Sequence, residues 1–211
     1  MAITRLGGAN AISGTIPVSV GGTGVTTSAA LANTGNLVLL SSATLSADTE
    51  VVFGSSIITT TYKSYIIRGV HIHASADNIS FNFQLSDDQG SSYKNSDYKR
   101  SIHALVVNLN SNTFISRQGN PDTSGTIAGI YEGVGNASGE SADFEVQLFD
   151  PRANNDTQTM VRSVYQSNNG RQTQNFGFIS HGAIASINTI KFYPSSGNFA
   201  EGVISIYGVK T

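Results

Sequence analysis

The feature that most constrains this chain is a strict two-residue alternation. Over 78–85, Ile79, Phe81, Phe83 and Leu85 alternate with Asn78, Ser80, Asn82 and Gln84. A β-strand turns successive side chains to opposite faces, so this run sets four apolar groups against a core and four polar groups against water. The stretch 143–149 repeats the pattern with Phe144, Val146 and Leu148 inward, and Asp150-Pro151 ends it. The stretch 62–73 is rich in Tyr, Ile and Val, with Val70 and Ile72 expected in the core and His71 and His73 facing solvent. Further strands are expected at 39–45, 101–108, 126–131, 158–165, 174–180, 188–193 and 202–209. Turn-formers punctuate them at 86–90, Asn120-Pro121-Asp122, 133–139, 167–170 and 194–198. About eight to ten short strands so separated predict an all-β, antiparallel β-sandwich of jelly-roll-like type. No strand–helix–strand alternation argues for a parallel sheet.

Composition narrows the function classes. Charged residues make up 12% of the 211 residues, about half the usual ~25%. The polar surface is therefore built from Ser, Thr, Asn, Gln and Gly, which lose less rotamer entropy against a neighbour than long charged side chains do. The net charge of −2 comes without a basic stripe, so no nucleic-acid partner is expected. Apolar runs such as Leu37-Val38-Leu39-Leu40 are far too short to span a bilayer, so no membrane insertion is expected. Gly7-Gly8 follow Arg5 where a signal peptide needs an apolar stretch, so no export signal is expected. There is no cysteine, hence no disulfide or thiolate metal site.

Two regions differ in character. Residues 1–36 carry one charge, Arg5, and are broken by Gly7-Gly8, Gly14, Gly21-Gly22, Gly24, Gly35 and Pro17. Such a segment buries too little alone to offset its chain entropy. Its spaced aliphatics suit an extended N-terminal arm that orders on a partner, with Ile3, Arg5, Leu6, Ile12, Ile16 and Val18 as the anchoring residues. Residues 37–211 form the β-sandwich domain.

Several patterns suggest chemistry and stop short of it. Gly21-Gly-Thr-Gly24 lacks the Lys and Ser/Thr of a nucleotide loop. His71 and His73, two apart on a strand, share a face and are the only candidates for a metal pair; a third ligand would have to come from His103, His181 or a symmetry mate. Asp87-Asp88-Gln89-Gly90 reads as a tight turn rather than a calcium loop. Glu132, Glu140, Asp143 and Glu145 cluster in sequence, yet nothing marks one as a raised-pKa acid, and no G-x-S-x-G elbow occurs. The expectation is a protein that is not an enzyme and uses no cofactor. Tyr93, Tyr98 and Tyr165, with Phe114 and Tyr131, are aromatics near loops; the first three are the candidate receptor contacts.

Three stretches resemble fibre-like or appendage-like virion proteins of tailed phages, a group common among marine phages. The opening 1–16 looks like the start of many such chains, and Pro17-Val-Ser-Val-Gly-Gly-Thr-Gly24 is similar to a P-x-x-x-G-G-T-G element recurrent in tail-fibre sequences. Phe81-x-Phe-x-x-Ser-Asp-Asp-x-Gly-x-x-Tyr93 resembles the strand–turn–Tyr unit of their C-terminal jelly roll. Ile187-Asn-Thr-Ile-Lys-Phe-Tyr-Pro-Ser-Ser-Gly-Asn-Phe199 with 202–209 resembles its closing segment. In that segment Gly197 suits a turn, Phe199 can pin the loop to the core, and Gly208 lets another backbone approach. The stretch 104–142 carries no such likeness.

The resemblance implies a virion protein working as a homotrimer, partnered by other virion proteins of the tail, baseplate, neck or capsid. Longer members carry shafts or receptor-binding tips that this chain lacks, which favours a short tail fibre, an adaptor or a decoration protein. The rival reading is a lectin-like module that binds host-surface glycan through the Tyr- and Asn-rich stretches 91–99 and 165–175.

Overall fold

A computed structural model describes residues 36–108 and 111–210. The described residues contain twelve β-strands and no helix. In chain order they are β1 (Leu37–Thr44), β2 (Val51–Phe53), β3 (Ser64–Ala74), β4 (Phe81–Ser86), β5 (Tyr98–Asn108) and β6 (Ser111–Asp122). β7 (Gly125–Ala128), β8 (Ala142–Phe149), β9 (Asn155–Gln166), β10 (Gln172–Ala185), β11 (Thr189–Pro194) and β12 (Phe199–Val209) follow. They form an eight-stranded sheet, β1-β12-β3-β8-β9-β10-β5-β6, and a four-stranded sheet, β2-β11-β4-β7.

The topology resolves into a jelly roll with two insertions. With the hairpins β5–β6 and β9–β10 set aside, the remaining eight strands, renumbered along the chain, lie in the orders 1-8-3-6 and 2-7-4-5. That is the double Greek key of a jelly roll. The hairpin β5–β6 leaves from between β4 and β7, and β9–β10 from between β8 and β11. Both join the large sheet beyond β8, doubling its width.

The expected core face is observed: Ile79, Phe81, Phe83 and Leu85 are all buried, as are Phe144, Val146 and Leu148. Phe83 meets Tyr98 edge-on at 6.1 Å and Phe192 at 6.3 Å, while Phe144 stacks on Phe192 at 5.9 Å. These rings fill the space between the layers. Gly125 on β7 lies so close to the Phe83 ring that a methyl group there would overlap it. Phe199 pins the closing turn by stacking on Phe81 at 5.6 Å.

Four expectations need correction. Val70 is not in the core; it is 57% exposed. His71 adopts a φ of 52° and the β3 register shifts there against both neighbours, so the bulge turns Ile72 inward and leaves Val70 outward. Gly208 accommodates the Tyr62 ring, not another backbone. The segment Asn120-Pro121-Asp122 continues β6 instead of forming a turn. The strand count exceeds expectation because β2 is only three residues long and β6 is too polar to show apolar periodicity.

The aromatic core gives a direct test. Phe83→Ala removes a fully buried ring packed on two others and is expected to cost about 3–5 kcal/mol in urea unfolding, with the β-type circular-dichroism spectrum retained.

Candidate interaction face

The second inserted hairpin, β9–β10, departs from the usual polarity of a sandwich. Along β9, the buried side chains are Thr157, Thr159, Val161, Ser163 and Tyr165, while Gln158, Met160, Arg162 and Val164 point outward. β10 does the same: Thr173, Asn175, Ile179 and His181 are buried, whereas Phe176 and Phe178 are exposed. Two of the inner hydroxyls are held by backbone acceptors. Thr159 donates to the Ile179 carbonyl at 2.7 Å, and Ser163 to the Ile127 carbonyl at 2.8 Å. The latter bond ties β9 to β7, the strand of the small sheet that reaches over β9, β10 and β5.

The outer face is correspondingly apolar. Phe178 sits opposite Met160 on β9 and Ser101 on β5; Phe176 sits opposite Arg162 and His103. Leu105 faces Phe114 across the β5–β6 pair. The His103 ring is sandwiched, stacking on Phe114 at 5.4 Å and 16° and lying 5.4 Å from Phe176. Phe114 is 60% exposed, Met160 58% and Phe178 51%. Single exposed apolar residues are ordinary, but a contiguous patch of this kind marks an interaction site.

Beside the patch lies an ion-paired row. Glu145 on β8 accepts from Arg68 on β3 at 2.9 Å and from Arg162 on β9 at 2.6 Å. Next to it, Asp143 accepts the His71 backbone N–H at 2.7 Å. A shallow hollow of about 400 Å³ runs between the row and the aromatics, lined by Glu145, Gln147, Met160, Arg162, Phe176 and Phe178.

The residues singled out from the sequence fall elsewhere. Ile3, Arg5, Leu6, Ile12, Ile16 and Val18 lie outside the described residues. Tyr98 and Tyr165 are core residues, 1% and 2% exposed, which removes them as receptor contacts. Tyr98 opens β5, and Tyr165 lies on β9, the strand expected at 158–165, with its side chain turned inward. Burial pushes the phenol pKa of each above its ordinary value, and the Tyr98 hydroxyl accepts the Leu85 N–H at 2.8 Å. Phe114 likewise belongs to a strand and is part of the outer face.

His71 and His73 do not converge. The His71 ring pairs with Glu201 at 3.1 Å, and the His73 ring bonds the Ala137 carbonyl at 3.1 Å. His103 and His181 lie on β5 and β10, which β8 and β9 separate from β3. The acidic cluster is dispersed among structural partners. Glu132 pairs with Arg171, Glu140 accepts the Ala137 N–H at 2.8 Å, and Asp143 and Glu145 belong to the row described above.

Tyr93 is the one receptor candidate at the surface. It is half-buried, with the Lys191 ammonium 4.1 Å from its ring centre and 5.3 Å from that of Tyr193. The loop that carries it is the tight turn read from the sequence. Gln89 and Gly90 take φ of 66° and 87°, and the Asp88 carboxylate accepts from the Ser86 hydroxyl at 2.6 Å, the Ser92 hydroxyl at 2.6 Å and the Ser92 N–H at 2.9 Å.

Sequence reasoning passed over Met160, Phe176 and Phe178. A signal was present: in Asn175-Phe-Gly-Phe178 the two rings are two residues apart and must share a face. Neither the family models, nor the curated proteins, nor the solved structures contain a match to this chain.

The Asp88 bonds make a testable statement about pH. The Ser86 hydrogen bond, then those from Ser92, hold the Asp88 carboxyl below the ordinary aspartate range. A group depressed on folding contributes stability that is present above its unfolded pKa and lost as pH falls through its folded one. The turn should therefore stay closed at acidity that protonates a free aspartate. A carbon-detected NMR titration should find Asp88 ionised there, and Ser86→Ala should move its midpoint upward.

Proposed function

We propose that this chain is a structural, non-catalytic component of a tailed-phage particle: a short tail fibre, adaptor or decoration protein, assembled as a homotrimer and anchored to other virion proteins by residues 1–36. The observation that carries the reading is the outward aromatic face on the inserted strands. A hairpin that places threonines and an asparagine inside and phenylalanines outside is suited to meet a protein surface. The low charge content and the ordered resemblances at 1–24, 81–93 and 187–209 support the same reading. So does the jelly-roll topology, which the resemblance had implied for the C-terminal part.

A second reading, binding of host-surface glycan, is favoured by one feature. Tyr93 and Tyr193 flank Lys191 on the small sheet, offering aromatic area beside a cation and the Glu50 carboxylate, 3.5 Å from the ammonium. Loss of cell binding in Tyr93→Ala protein, measured with labelled chain on susceptible hosts, would support it; unchanged or absent binding would remove it.

The structural reading is tested on particles. Deletion of residues 1–24 should leave the β-type circular-dichroism spectrum unchanged and abolish incorporation, as read by mass spectrometry of purified virions. Normal incorporation of the shortened chain would defeat the anchoring role.

A further inference from the structure

We propose that the outer face of β9, β10, β5 and β6 is the surface on which a second copy of this chain docks. The proposal rests on the self-assembly put forward above and names the surface that performs it.

The first support is area. Leu105, Phe114, Met160, Val164, Phe176 and Phe178 are between 41% and 60% exposed. With large side chains burying about 150–250 Å² each, and the aliphatic ones somewhat less, the six offer roughly 600 Å². A polar rim brings this to the ~800 Å² that one partner contributes to a standard interface. The chemistry matches an interface centre of aromatic rings, a methionine and an arginine, with Lys99 at its margin beside Phe178.

The second support is charge, which selects the occupant. The ion-paired row holds two carboxylates, Asp143 and Glu145, and two guanidiniums, Arg68 and Arg162. A strongly acidic or basic partner gains nothing from a balanced row. A second copy carries the same row and can set its carboxylates against these guanidiniums. Arg162 is suited to reach across, since its side chain is 69% exposed even while paired to Glu145. A net charge of −2 on 211 residues also leaves little long-range repulsion between copies.

The third support is the placement of polarity within β9 and β10. Their buried polar side chains, including Asn175 at 0% exposure, forgo part of the apolar burial a core strand normally supplies. Covering Met160, Phe176 and Phe178 with a neighbour returns that burial on the other side of the same strands.

The test uses the full chain in sedimentation velocity over a dilution series. Wild type should sediment as an oligomer. Met160→Glu and Phe178→Glu, which alter outward side chains only, should sediment as monomers with unchanged far-ultraviolet spectra. Val52→Glu, an exposed apolar position on the small sheet, should leave the oligomer intact. Because the chain has no cysteine, a second readout does not depend on disruptive variants. Gln174→Cys on the face should be protected from thiol labelling at assembling concentrations, while Ser195→Cys in the turn after β11 should label at a rate independent of concentration. An oligomer that persists in both glutamate variants, or a cysteine at 174 that labels as freely as one at 195, overturns the docking surface and leaves self-assembly standing. A wild-type chain that stays monomeric throughout overturns both.

Discussion

Everything in this structure depends on one ring-filled layer between two antiparallel sheets. Phe83, Phe192 and Phe144 meet at its centre, Phe81 and Phe199 close one end, and Tyr98 brings the first inserted hairpin against it. Aromatic side chains supply the largest apolar area per residue, and sheets of opposite inner faces interlock only when the side-chain period of two is kept on both. Each strand that contributes to this layer keeps its register because a slip by one residue would exchange a phenylalanine for an asparagine or a glutamine.

The two inserted hairpins obey a different constraint. They extend the large sheet by backbone pairing with β8 and with each other, and only part of their inner surface lies beneath β7. Their inner faces mix core residues such as Ile102, Val161 and Ile179 with small polar groups, of which Thr159 and Ser163 bond to carbonyls. Other apolar side chains, among them Phe114, Met160, Phe176 and Phe178, lie on the outer surface. The jelly roll acts as a rigid frame, and the insertions turn one of its faces into a docking surface. The loop around Asp88 performs a comparable service on the other sheet, holding Tyr93 beside Lys191 through three bonds to one carboxylate.

How much of this was legible in the chain follows from burial. Strands with one dry face and one wet face, such as those around Phe81 and Phe144, announce themselves, because solvent imposes the alternation. β9 and β10 were legible as strands but not as to which side faces in, since both of their faces carry a mixture of apolar and polar groups. β6 was illegible altogether; it is an edge strand with little to bury, and its conformation comes from pairing with β5. The bulge at His71 was also hidden. Its positive φ is imposed by two register shifts with neighbours far away in sequence, so the alternation through Val70 and Ile72 broke without a local signal.

By itself, the order of residues determined the class of fold, the aromatic layer and the turns other than the one expected at 120–122, because those follow from period-two patterning and from the local preferences of Gly, Asn and Asp. Only the tertiary structure decided which surface is exposed and what gathers there. Phe114, His103, Phe176, Phe178 and Met160 come from four strands and meet only because two hairpins were added side by side to one sheet. Tyr98 and Tyr165 were drawn inside by the same pairing. Long-range strand order is not written in any local window, since it is selected by the joint burial of many strands at once.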